Sequence, residues 1–180
     1  MQLTPVYAGG NRHLTTSHPV RDSISLFCRH IERVPVHVGC QVGADQYIVD
    51  SMCVYYPALL HVFAIEENAN LSRLDYLHNK ITVCHTPGAP IKAQFINRSI
   101  QAFTGCSQAI FFQPGKGSLA VAREFIKRMK NPVFAIATEE PPTIPSQAGT
   151  WSPVRNSWYE QFNTAQVCAY VWQPTQKTLF

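Results

Sequence analysis

At 180 residues the chain suits one domain with a sizeable core and at most a small appended piece. An apolar share of 46% against 14% charged residues excludes a disordered chain. The net charge of +4 is modest, suits an anionic small ligand as well as nucleic acid, and so does not choose a partner. The six cysteines show no C-x-x-C pair and no zinc-site spacing with histidine, so no metal is expected. Most lie in apolar runs, where a free thiol behaves as a small hydrophobe. No signal peptide and no apolar stretch of spanning length are visible, and the expectation is a soluble, cytoplasmic protein.

In chain order, Leu3 to Tyr7 reads as a strand stopped by Ala8-Gly9-Gly10. Val20, Ile24, Phe27, Cys28 and Ile31 follow at helical spacing, with Pro19 in the first turn and Ser17 or His18 as cap. Val34 to Val38 is a second strand, ending in Gly39 to Asp45, and a helix from Ala44 to Tyr55 is closed by Pro57. Leu59 to Ile65 is a third strand. The polar stretch Asn68 to Lys80 reads as loop, with at most one helical turn. Ile81 to Cys84 is a fourth strand, and a helix after Pro90 ends at Gly105. Ala109 to Phe112 is a fifth strand, and Gln113 to Ser118 a glycine-rich turn. Ser118 then opens a helix that runs from Leu119 to Lys130 and leads into a last core strand, Pro132 to Ala137.

Short strands without polar alternation, separated by helices of ten or more residues, predict an α/β fold: a doubly wound, largely parallel, Rossmann-like sheet. Residues 1–140 are expected to form a Rossmann-like domain binding a nucleotide-derived ligand. Residues 141–180, with Pro141, Pro142 and Pro145 at their start and a strand-like Gln166 to Trp172, are expected to pack on that core as a Pro-rich linker and extension, adding an edge strand or an oligomer contact.

Ligands of such sheets bind outside the carboxyl ends of the strands. There the sequence places Gly9, Gly10, Asn11 and Arg12, then Gly39, Cys40, Gly43 and Asp45, and finally Gly115, Lys116, Gly117 and Ser118. Gly115 and Gly117 permit positive φ, helix-start amides attract an anion, and Lys116 adds a full charge. Arg12 offers a donor fork to phosphate, and Asp45 an acceptor for ribose or base. Arg98, on the more polar side of its helix, reaches toward an anion. Cys40 reads as structural, His37 as a satisfied histidine, and His85 as a polar strand-end candidate. The dinucleotide fingerprint and the P-loop are both absent.

Three segments carry a family resemblance: Ala8-Gly9-Gly10-Asn11-Arg12, Val38 to Asp45, and Phe112 to Ser118, with Asn97-Arg98 beside them. They resemble the SLOG superfamily, the Rossmann-like group of DprA/SMF, the LOG phosphoribohydrolases and YspA-like proteins, the last branch being most similar. The resemblance implies a nucleotide-derived ligand held by the glycine turns. The LOG hydrolases carry a glutamate just past the last turn, where this chain has Leu119, Ala120 and Val121, and Glu124 falls a turn too late.

The expected function is binding of a nucleotide-derived small molecule by a sensor or sequestering protein, with no cofactor and a homo-oligomeric state. An alternative is a nucleotide N-glycosidase with Asp45 or Glu66 as its carboxylate. DprA-like binding of single-stranded DNA ranks third, and nucleic acid is not expected as a partner. The reason is a small charge surplus and no basic–aromatic alternation.

Overall fold

The structure is a computed structural model, and it describes residues 3–31, 33–66 and 81–175. Among the described residues eight strands, numbered in chain order, form one sheet in the order β4-β3-β2-β1-β5-β6-β8-β7. β1 (Val6–Gly10), β2 (Val36–Val38), β3 (Leu60–Ile65), β4 (Ile81–Cys84), β5 (Gln108–Phe112) and β6 (Val133–Ala137) are all parallel. β7 (Gly149–Pro153) and β8 (Cys168–Pro174) close the far side antiparallel. The arrangement is the mixed α/β, mostly parallel architecture expected from the alternation of short apolar runs and helices.

Period-two alternation sorts the strand residues between two helical layers. Val6, Ala8, Val36, Val38, Ile110 and Phe112 face one core, with α1 (Val20–His30) and α2 (Ala44–Tyr55). Tyr7, Phe63, Ala109 and Phe111 face the other, with α3 (Ile91–Phe103) and α4 (Lys116–Met129). Because both faces are covered, the central strands carry mostly apolar residues, with His37 of β2 and Gln108 of β5 as exceptions.

Three boundaries differ from expectation, each for a tertiary reason. β1 contains the glycines expected to stop it, because Gly9 and Gly10 pair with Phe111 and Phe112 of β5. The pairing outweighs their weak strand propensity. α4 begins at Lys116, before Ser118, so Gly117 lies in its first turn. The C-terminal segment supplies two strands, and β8 sits between β6 and β7, so it is not the edge. The stretch Asn68 to Lys80 lies outside the described residues. Among those residues no helix is long and apolar enough to cross a membrane, and all six cysteines are free thiols.

His37 and His61 stand on neighbouring strands with ring centroids 5.3 Å apart, and His61 stacks on Phe63. The His37 Nδ1 lies 2.7 Å from the Ala102 carbonyl and donates to it in the neutral tautomer. Burial holds the imidazole below its ordinary value of 6.5, and the bond to Ala102 pulls the other way without cancelling it. Its contribution to stability is complete above 6.5 and is lost as pH falls through the depressed value. Thermal melts in acid are therefore expected to show a falling Tm that His37→Asn flattens. An unaltered pH profile in that variant would refute the assignment.

Candidate functional site

Parallel pairing brings the carboxyl ends of β1, β2 and β5 to one edge of the sheet. The chain order reverses between β1 and β5, since β1 leads outward to β2 on one side while β5 leads to β6 on the other. That reversal opens the crevice in which such sheets take ligands. The first and last glycine turns face each other across it.

Backbone bonds hold these turns together. The Asn11 amide donates to the Phe112 carbonyl at 3.0 Å, and the Ala44 amide donates to the Asn11 carbonyl at 3.0 Å. The Ser118 hydroxyl donates to the Gly10 carbonyl at 2.8 Å. A Cβ on Gly10 would overlap the Phe112 carbonyl and the Ala44 side chain, so only glycine lets α2 and β5 close on β1 here. Gly43, at φ 78°, turns the chain into α2, and a Cβ there would strike the Asn11 and Arg12 backbone.

Both α2 and α4 start on a glycine N-cap, Gly43 and Gly115, with no side-chain capping bond. Apart from the Ala44 amide, which is spent on Asn11, their first-turn amides and the positive ends of their dipoles lie at this carboxyl edge. Arg12, Lys116 and Gly117 are exposed beside them. The Asn11 side chain lies next to Gly115 and also accepts from the His13 amide at 2.9 Å.

Deeper in the same edge, Arg98 and Asp45 form an ion pair at 3.7 Å with side chains only 6% and 8% exposed. Arg98 rises from α3 on one face and Asp45 from α2 on the other, and they meet over Gly39. A Cβ on Gly39 would overlap both groups. The Arg98 Nη1 also donates to the Phe63 carbonyl at 3.3 Å, and the Gln41 amide donates to Asp45 Oδ2 at 3.3 Å. Burial pushes the Asp45 carboxyl up, and Arg98 with the Gln41 and Gly10 amides pulls it back in part. Tyr7 lies beneath, its hydroxyl pushed up to about 12 by burial against the opposing pull of Arg98. Among the described residues, Arg98 Nε and Gln41 Nε2 are buried with no hydrogen-bond partner.

Several sequence readings change. Arg98 is in the interior, not on a polar helix face, because Asp45 and the Phe63 carbonyl compensate its burial. Ser118 does not open α4 but lies in its first turn, and its hydroxyl donates to the Gly10 carbonyl. The positive φ of the last turn falls on Gln113, at 47°, while Gly115 is extended at −99°. The Gln113 side chain accepts from the Thr138 amide at 3.0 Å, tying this turn to the end of β6. α1 has Pro19 as its N-cap with no side-chain capping bond, although His18 Nδ1 accepts from the Val20 amide at 3.3 Å.

The structure brings Gly9, Gly10, Asn11, Gly39, Gly43, Asp45, Arg98, Gly115 and Ser118 into one connected cluster. Cys40 is buried beside it. Glu66 stands apart at the end of β3, exposed and 3.2 Å from the exposed His85. Glu124 faces Arg123 and Arg128 along α4, about 12 Å of helix rise from Lys116. Sequence reasoning missed Tyr7 and Gln41. An amide side chain between Gly39 and Gly43 was the available signal for Gln41.

No known family model matches the chain, and no curated protein matches it. Solved structures do. DNA processing protein A from Helicobacter pylori, described for its single-stranded DNA binding mode, superimposes with a TM-score of 0.56 at 18% identity, over 79% of this chain and 68% of that one. DNA processing protein A (DprA) from Streptococcus pneumoniae gives 0.55 at 18% identity, over 80% of this chain and 52% of that one. The chain thus spans about half of the latter protein's length. The likeness shows a Rossmann-like fold shared with DprA. It also corrects the expectation that nucleic acid is not a partner, because the same fold in the Helicobacter pylori protein binds single-stranded DNA.

Proposed function

We propose that the carboxyl edge of this sheet binds the phosphate of a nucleotide unit, and that its partner is single-stranded DNA. The observation that carries this reading is the meeting of two side-chain-uncapped helix starts, at Gly43 and Gly115, across the switch between β1 and β5. Exposed Lys116 and Arg12 stand beside them. Backbone amides and helix dipoles of this kind take an anion without reading a base. Shared fold with DNA processing protein A favours a strand as the source of that anion. On the same grounds we place the chain in the SLOG superfamily.

A second reading, a free nucleotide-derived ligand held by a sensor or sequestering protein, is favoured by one feature. Arg98 Nε and Gln41 Nε2 are buried and unpartnered among the described residues at the bottom of the edge, which suits a small polar molecule reaching inward. No catalytic role is assigned to Asp45 or Glu66. The former is held by Arg98 and backbone amides, and the latter lies with His85.

Gly117 is exposed and a Cβ there would meet nothing within 4 Å. Gly117→Val is therefore expected to leave the fold intact while filling the space before the α4 amides. Fluorescence anisotropy with a labelled oligothymidylate should show affinity down by about 30-fold or more, and Lys116→Gln by roughly 10-fold for one lost charge-assisted contact. Competition with nucleoside monophosphates separates the two readings. Wild-type affinity for both ligands in Gly117→Val would sink the site itself.

A further inference from the structure

We propose that the outward face of α4 is a track for the phosphates of a single strand leaving the glycine-turn site. The inference rests on the nucleotide-phosphate reading above and extends it from one nucleotide to a strand. Residues 116–130 hold five basic residues and one acidic one, a surplus equal to the +4 of the entire chain. The remainder of the molecule is therefore neutral in sum. All of its excess positive charge sits on one helix and its cap.

The placement is directional. Lys116, Arg123 and Lys127 recur at steps of seven and four residues, which at 3.6 residues per turn keeps them within an arc of about 40°, and Lys130 follows as the cap of the same helix. Ser118, Val121, Ala122 and Phe125 occupy the opposite, buried side, and Leu119 is buried at the margin between the two. The stripe begins at the first residue of α4, on the crevice, and ends at Lys130, the left-handed cap at φ 55°. That is a rise of about 21 Å. It is not a bare convex surface, because Arg123, Glu124 and Lys127 form a cleft of about 490 Å³ with Ser146 and Gln147 opposite. Glu124 is 13% exposed and turned onto Arg123 and Arg128, so the acid is drawn in from the stripe while Lys116, Lys127 and Lys130 remain exposed. A run of cations that starts at a phosphate-binding turn fits a polyanion with regular charge spacing, and single-stranded nucleic acid supplies one.

The test is the triple variant Arg123→Gln/Lys127→Gln/Lys130→Asn in the full chain, with Arg155→Gln, an exposed cation elsewhere, as control. Asparagine tolerates the left-handed cap, and an unchanged thermal melt verifies the fold. With a 12-mer oligothymidylate, the slope of log K against log salt is expected to become shallower by about 2, three contacts at roughly 0.7 each. Affinity for a nucleoside monophosphate should stay at the wild-type value, and Arg155→Gln should change neither. A wild-type slope in the triple variant, with the 12-mer still bound, overturns the track and leaves the turn site standing. Equal loss for the monophosphate and the 12-mer also overturns it, since the stripe would then only support the turn. If the wild-type chain binds anionic vesicles through these residues and binds no oligonucleotide, both proposals fall.

Discussion

Gly10→Ala is expected to destabilise the protein by about 3 kcal/mol or more, the upper part of the range for overpacking in a closed interior. The new methyl would meet the Phe112 carbonyl and the Ala44 Cβ together. The first atom is backbone of the paired strand β5, and the second starts α2, so neither withdraws by a rotamer change. Displacing them also strains the Asn11 amide bond to Phe112 and the Ser118 bond to the Gly10 carbonyl. Urea denaturation should show the loss as a lower midpoint with little change in slope. A drop below about 1 kcal/mol would mean that β1 and β5 are not packed this closely at their ends.

Asp45→Ala is expected to cost about 3–5 kcal/mol, because it leaves the Arg98 guanidinium buried without its counter-charge. Among the described residues Arg98 already has an unpartnered Nε, and the Phe63 carbonyl and the Phe95 ring would remain beside it. The double variant Asp45→Leu/Arg98→Met removes both charges and should recover most of that loss, since paired desolvation is costly and apolar replacements of similar size often match it. Denaturant midpoints of the two single variants and the double variant form the cycle. If Asp45→Ala alone is nearly neutral, the pair is solvated and the interior placement of Arg98 is wrong. If the double variant folds but no longer binds nucleotide, the pair also organises the edge for its ligand.

Much of the site was legible in the sequence because glycine is informative about backbone. Three glycine turns, each after an apolar run, needed only a parallel sheet to fall on one edge. The alternation of short strands and long helices implied that sheet. Arg98 was misplaced because an arginine at a helix position is polar by type. Nothing local reveals that Asp45, on a helix of the opposite layer, comes within 3.7 Å of it over a glycine. The residues leave Ser118 open between capping and donating for a similar reason. Its local context fits a cap, and the Gly10 carbonyl that takes its proton is 108 residues away in sequence. The basic stripe was present in the sequence all along. Counting net charge over the whole chain averaged it away.

The sequence by itself determined the class of fold, the three turns and the absence of a glutamate just past the last of them. These follow from local periodicity and from residue types with few conformational choices. Tertiary structure decided which carboxylate meets Arg98, where α4 begins, that β8 lies inside the sheet, and that Lys116 and Lys127 of α4 are exposed. Each of these depends on contacts between residues far apart in the chain, whose energies outweigh local propensity. The Gln113 to Ser118 turn shows both halves. Its glycines made it a candidate ligand loop, and only the fold placed it opposite Gly10 and Asn11 at the head of a positively charged helix.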